Sequence, residues 1–140
     1  MKKNILIVGL LIIAQSCTIN DTNELNSKTT ESWELVSINE NITTSQTNNH
    51  LNIHEQLVLL NDSLFSRTRQ SNSNFWRLNG TYNYMIVNGT KYIVFQYNEK
   101  SSIIGNCSKN LNEVFVFESE NRISNTWYEC GGPKLIYHKN

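Results

Sequence analysis

The sequence predicts an all-β domain: an antiparallel meander of about eight strands closing into a barrel, after an N-terminal signal peptide. Three observations carry this. Two runs rich in Tyr, Ile, Val and Phe flank Asn88-Gly89 in TYNYMIVNGTKYIVFQY, residues 81–97. Short apolar or alternating runs recur between clusters of Asn, Asp, Ser and Gly from residue 32 onward. No stretch downstream of the signal sustains a 3.6-residue period, and no strand–helix–strand alternation appears.

The elements follow in order. SWELVSI, residues 32–38, reads as the first strand. NNHLNIHEQL hints at a helical turn. In EQLVLLNDSLFSRTRQ, Leu57–Leu60 is an apolar run, Asn61-Asp62-Ser63 a turn, and Leu64–Thr68 an alternating return strand, with Arg67 and Arg69 on its polar face. Asn88-Gly89 suits a two-residue type I′ turn, in which both positions need a positive φ. That turn sets Val87 opposite Thr90, Ile86 opposite Lys91 and Tyr84 opposite Ile93. One face of the hairpin then carries Tyr82, Tyr84, Ile86, Ile93, Phe95 and Tyr97, and this more apolar face is expected to point at the core. NEVFVFESE sets Val114 and Val116 against Phe115 and Phe117 until Asn121 breaks the run. RISNTWYEC and KLIYHK are two further strands joined by Cys130-Gly131-Gly132-Pro133. Closure of such a meander removes the edges that a sheet rich in β-branched residues would expose.

Length and composition bound the function. The chain has 140 residues, which suits one domain. Charged residues are 17%, below the roughly 25% of an average soluble protein, and Asn, Ser and Thr take their place. The formal net charge is +0, so no basic surface advertises nucleic-acid binding. The Asn-x-Ser/Thr triplets Asn41-Ile42-Thr43 and Asn88-Gly89-Thr90 arise readily by chance in so Asn-rich a chain.

The first residues read as an address. Lys2 and Lys3 precede the apolar run Ile5–Ala14, which is too short to span a bilayer, where roughly 20 residues are needed. The run has the length of a signal-peptide h-region. Ala14 and Ser16 fit an ordinary cleavage site, which would leave Cys17 a spare thiol. The stretch IAQSC also resembles the lipobox of bacterial lipoprotein signals, with Gln15 where a small residue is more usual. That resemblance implies cleavage after residue 16, diacylation of Cys17 on sulfur, and a membrane anchor. Two or three acyl chains hold a protein stably where one does not. Thr18 follows the cysteine, and by resemblance to lipoprotein sorting the absence of Asp there leaves delivery to the outer membrane of the cell envelope open. Residues 17–31 are polar and aperiodic and read as a tether, with the barrel domain at 32–140. Removing residues 1–16 removes two lysines and no acids, for a net of −2.

With Cys17 assigned to lipid, Cys107 and Cys130 remain as a pair. In an exported protein the default reading is a disulfide. Neither the spacing of a CxxC redox motif nor a Cys/His set at zinc spacing surrounds them.

No catalytic frame is recognisable, and a non-enzymatic protein without cofactor is expected. His50 and His54 have helical ligand spacing, but the intervening residues lack the HExxH glutamate, and His138 is distant in sequence. No G-x-S-x-G occurs. Paired carboxylates for glycosidic cleavage could be drawn from Glu113, Glu118 and Glu120, but Glu118 and Glu120 sit at a strand end, where charges are usually a solvated face. What stands out is the aromatic set of Trp33, Phe75, Trp76, Tyr82, Tyr84, Phe95, Tyr97, Trp127 and Tyr128. Such rings fill a core or line a ligand cup, and an eight-stranded barrel accommodates either.

The chain resembles small bacterial lipocalin-like domains. SWELVSI is similar to their Gly-x-Trp-x-Leu first strand, although Thr30, Glu31 and Ser32 precede Trp33 and the usual Gly is missing. LVLLNDSLF resembles their next hairpin, NGTYNYMIVNGTKYIVFQY their Gly-x-Tyr strand with its tight turn, and CGGPKLIYHK a closing strand. Together these cover residues 32–140. The expected function is a membrane-anchored binding module for a small hydrophobic or amphipathic ligand, held by Trp33, Tyr82, Tyr84, Phe95 and Tyr97. The alternative is a protein-interaction or inhibitor module with a filled barrel, working through loops such as 37–52 and 69–75.

Overall fold

A computed structural model describes residues 29–41, 44–47 and 52–140. The signal segment, Cys17, the tether up to residue 28 and His50 lie outside the described residues. The strands are β1 (Thr29–Asn41), β2 (Thr44–Thr47), β3 (Ile53–Leu60), β4 (Leu64–Ser71), β5 (Asn74–Val87), β6 (Thr90–Tyr97), β7 (Asn112–Ser119), β8 (Arg122–Asn125) and β9 (Lys134–Lys139). Among the described residues there is no α-helix. Each strand pairs antiparallel with the next from β3 to β9, and β1 pairs with both β3 and β9. Eight strands therefore close into a meander barrel, as the alternation and turns predict.

β1 closes the barrel because it is long enough to serve both edges. Its first half pairs with β3, from Thr29 opposite Leu60 to Glu34 opposite Gln56. Its second half pairs with β9, from Trp33 opposite Lys139 to Asn39 opposite Lys134. A bulge between Leu35 and Ser37 shifts the register there, so that Ser37 and Ile38 are both buried. β2 folds back along the end of β1 that β3 leaves free.

The hairpins follow turn chemistry. Asn88 and Gly89 have φ of 50° and 80°, as a type I′ turn demands. Val87 pairs with Thr90, Ile86 with Lys91 and Tyr84 with Ile93, in the expected register. Asn61–Ser63 turns β3 into β4 with Asp62 and Ser63 at positive φ. The helical turn expected at residues 48–57 is overturned from Ile53 onward. Glu55, Leu57 and Leu59 all point inward with period two, and the segment pairs with β4 throughout.

The core is the inward set of each strand: Trp33 and Leu35, Leu57 and Leu59, Phe65, Leu78, Ile93, Phe95 and Tyr97, Phe115, Ile123, Leu135 and Tyr137. The rings interlock edge to face, with Phe65–Phe95 centroids 4.7 Å apart, Phe95–Phe115 5.4 Å and Phe115–Tyr137 5.4 Å.

One expectation about this core fails. Tyr84 and Ile86 share the inward phase of β5 but are 43% and 74% exposed. The reason is strand length. β4 stops pairing with β5 at Leu64 opposite Thr81, and β7 stops pairing with β6 at Val116 opposite Tyr92. Beyond those points the β5–β6 ribbon has no neighbour and overhangs the barrel rim.

Candidate functional site

The two ends of the barrel differ. At one end lie the loops following β4, β6 and β8. The segment 98–111 crosses this end and buries Ile103. It is tied internally by Asn106, whose Nδ2 donates to the carbonyls of Asn110 at 2.7 Å and Asn112 at 2.8 Å. Cys107 and Cys130 form a disulfide that joins it to the 126–133 turn. The pairing expected from cysteine parity is therefore present. Asn125 fixes the base of that turn, donating to the Pro133 carbonyl and accepting from the Leu135 N–H.

Behind this closed end sits a charged cluster that corrects one expectation. Arg67 and Arg69 do not lie on a polar outer face: the Arg67 side chain is fully buried, as is that of Glu113, and Arg69 reaches the buried Glu55 from the same phase. Arg67 shares the phase of Phe65, Glu55 that of Leu57 and Leu59, and Glu113 that of Phe115. Period two therefore delivers all three to the interior. The Arg67 Nε donates to Glu55 Oε1 at 2.7 Å. Its Nη1 donates to Glu113 Oε2 at 2.5 Å and to the Tyr97 hydroxyl at 2.7 Å, and its Nη2 to the Tyr137 hydroxyl at 3.2 Å. Tyr97 in turn donates to Glu113, and Tyr137 to Glu55. Arg69 adds a second cation on Glu55. The Gly105 N–H donates to Glu113 Oε1 at 3.2 Å, linking the cluster to the crossing segment.

The electrostatics are self-contained. Burial raises Glu55, but the Arg67 and Arg69 charges outweigh it and hold the carboxyl below its ordinary range. Burial also raises Glu113, and Arg67 and the Tyr97 hydroxyl offset this only in part, so its carboxyl stays above that range. Burial pushes the Tyr97 and Tyr137 phenols well up, which keeps both hydroxyls as donors. Two carboxylates face two guanidiniums, and apart from the Gly105 N–H their partners stand on barrel strands. This arrangement is a scaffold: buried charge is tolerated where each group is paired and hydrogen-bonded.

The opposite end is open. Phe117, Tyr82 and Tyr84 form its aromatic rim above the buried Trp33, with centroids of 5.8 Å for Trp33–Phe117, 6.0 Å for Tyr84–Phe117 and 5.6 Å for Tyr82–Tyr84. Two lysines reach over these rings. Lys91 Nζ stands 4.4 Å from the Tyr84 centroid and 4.4 Å from that of Phe117. Lys139 Nζ lies 5.7 Å from Trp33 and pairs with Glu31 at 2.8 Å. Glu31 also accepts from the Trp33 indole at 3.3 Å. No carboxylate among the described residues pairs with Lys91. Between these groups lies a depression of about 490 Å³, lined by Glu31, Lys91, Phe117, Ser119, Glu120, Asn121 and Lys139. Burial, with the Glu31 and Tyr82 charges, pushes the Tyr84 phenol up to about 12.

The structure thus separates the five expected ligand residues. Trp33, Tyr82 and Tyr84 gather at the open end. Phe95 lies one layer in, 6.4 Å from Tyr82, and Tyr97 belongs to the charged cluster. Phe117, Lys91 and Lys139 were not expected at the site. Their phase marks them, since they continue the inward series of Phe115, Ile93 and Tyr137. His54 and His138 are exposed strand residues, and no metal-binding group of three ligands exists among the described residues. No helix of the described residues is long and apolar enough to cross a membrane. No family model, curated protein or solved structure matches the chain.

Proposed function

We propose that the chain is a non-enzymatic lipoprotein of the bacterial cell envelope, anchored through Cys17, that binds a small amphipathic ligand at the open end of a lipocalin-like barrel. The observation that carries the binding reading is Lys91: an ammonium without a carboxylate partner among the described residues, held over two rings at the edge of the depression. An ammonium so placed gains from the ring faces and keeps its donors free. A ligand with an apolar body against Tyr84 and Phe117 and an anionic or strongly polar head on Lys91 fits this chemistry. The ligand sits at the mouth, since the inner layers are occupied by Phe65, Phe95, Phe115, Tyr137 and Arg67.

The test is native mass spectrometry of the full chain purified from envelope extract, before and after solvent extraction. The expected result is an adduct that extraction removes and that Lys91→Met or Tyr84→Ala weakens. A clean mass in the untreated chain sinks the reading.

The filled interior favours a second reading, an interaction or inhibitor module. In it, the disulfide-tied 98–111 and 126–133 loops present a fixed surface to a protein partner. Its mark would be a partner recovered from envelope extract and lost with the Cys107→Ser/Cys130→Ser pair. Recovery of nothing above background counts against it.

A further inference from the structure

We propose that the overhanging tip of the β5–β6 hairpin enters the interfacial layer of a lipid bilayer. This rests on the envelope reading for the presence of a bilayer, and not on any ligand at the mouth.

The tip reads Tyr84-Met85-Ile86-Val87-Asn88-Gly89. Met85 is 39% exposed, Ile86 74% and Val87 45%. In a strand with one solvated face, apolar and polar residues alternate. Here Tyr84 and Ile86 lie on one face of the ribbon and Met85 and Val87 on the other, so β5 presents apolar side chains on both faces, with Lys91 opposite Ile86 the one charge beside them. Phe117 and Lys91 flank Tyr84. Past Met85 no strand of the described residues pairs with the ribbon, because β4 has ended and β7 has turned to β8. A docked protein or a second copy of the chain would cover one face or one edge. A lipid layer surrounds both, which is why we assign lipid.

The geometry behind the tip agrees. Tyr82, Tyr84 and Tyr92 follow it along the ribbon, where a ring with an apolar body and a polar tip suits the headgroup level. The Lys91 ammonium folds back over Tyr84 and Phe117, away from the apolar tip. At about 3.3 Å per residue, the ribbon projects about 20 Å past Thr81 on the β4 side and about 7 Å past Met85 on the β7 side. The chain also enters β1 at this end, since Thr29 pairs with Leu60 beside the β3–β4 turn. Thr29 lies twelve positions after Cys17, a span of about 40 Å when extended. An anchor at Cys17 therefore reaches the plane in which the tip would lie. The mouth carries Lys91 and Lys139 against Glu31 and Glu120. That balance makes the contact apolar rather than electrostatic, so a zwitterionic bilayer suffices.

The experiment places one reporter at each end of the same strand. Phe75 is 63% exposed on β5, about 36 Å from Ile86 at about 3.3 Å per residue. The full-length Ile86→Trp and Phe75→Trp chains are mixed with phosphatidylcholine vesicles carrying brominated acyl chains, and wild-type emission is subtracted. Ile86 is 74% exposed and Phe75→Trp exchanges one exposed ring for another, so both variants keep the fold. The expected result is a blue shift and several-fold stronger quenching for Ile86→Trp, with little change for Phe75→Trp and little dependence on salt. Co-sedimentation without quenching at Ile86 overturns the hairpin proposal and leaves the anchor standing. Equal quenching at both positions overturns it too. No co-sedimentation overturns both. A blue shift of Ile86→Trp without vesicles, together with a dimer by sedimentation, replaces the lipid by a second copy of the chain.

Discussion

Arg67 and Glu113 meet inside the barrel with Nη1 2.5 Å from Oε2, and neither side chain is exposed. The residues come from β4 and β7, which are not neighbours in the sheet. The pair therefore spans the interior and joins opposite walls.

Removing the central cation is expected to be severe. Arg67→Leu leaves Glu113 without its cation and Glu55 with Arg69 alone. Breaking a buried pair from one side costs about 3–5 kcal/mol. The triple variant Arg67→Leu/Glu55→Gln/Glu113→Gln removes the three fully buried charges together, leaves only the partly exposed Arg69, and is expected to recover a large part of that loss. Urea unfolding of both measures it. A single variant as stable as wild type would show that the cluster is not an energetic centre.

The two glutamates predict opposite pH responses. The folded pKa of Glu113 lies above its ordinary 4.5. Its contribution is therefore favourable below that value and lost as pH rises through the folded one. The folded pKa of Glu55 lies below 4.5, so its contribution is present above 4.5 and lost as pH falls through the folded value. Glu55→Gln retains the first dependence and Glu113→Gln the second. On acidification from about pH 7 to pH 4, the unfolding free energy of Glu55→Gln should rise relative to that of Glu113→Gln. Parallel curves would contradict the assignment.

The disulfide closes a loop with a sequence separation of 23. In the chain-entropy model such a loop contributes about 3 kcal/mol. Cys107→Ser/Cys130→Ser should lose about that much by urea unfolding. Wild type should lose as much under reductant, and the double variant nothing further. A variant that also loses stability under reductant would point to an effect other than the bond.

Trp127 is held between two backbone approaches. A Cβ added at Gly105 would lie 2.3 Å from its ring, and one added at Gly132 also 2.3 Å. Gly105→Ala must displace either the ring or the N–H that Glu113 accepts. Overpacking of this kind costs about 1–3 kcal/mol. The expected readout is a lower urea midpoint with a shifted Trp emission. An unchanged midpoint would mean that the 98–111 segment yields freely.

Much of the fold was legible in the chain. Turn chemistry at Asn88-Gly89 and Asn61–Ser63 set both hairpin registers, because these constraints act within a few residues. Cysteine parity identified Cys107 and Cys130, given an oxidising compartment. The candidate site was less legible. Period two placed Glu55, Arg67 and Glu113 inside, but an isolated charge in that phase reads as a violation of the pattern rather than as a member of it. Only the fold supplies the partners: Arg67 finds Glu55, Glu113 and Tyr137 at separations of 12, 46 and 70 residues. Tertiary structure alone also decided where the barrel ends. The alternation of β5 runs unbroken through Ile86, whereas its cover depends on how far β4 and β7 extend. The local pattern of this sequence determines which face a residue takes. What lies against that face is set by strands distant in the chain, and burial and charge pairing follow from those strands.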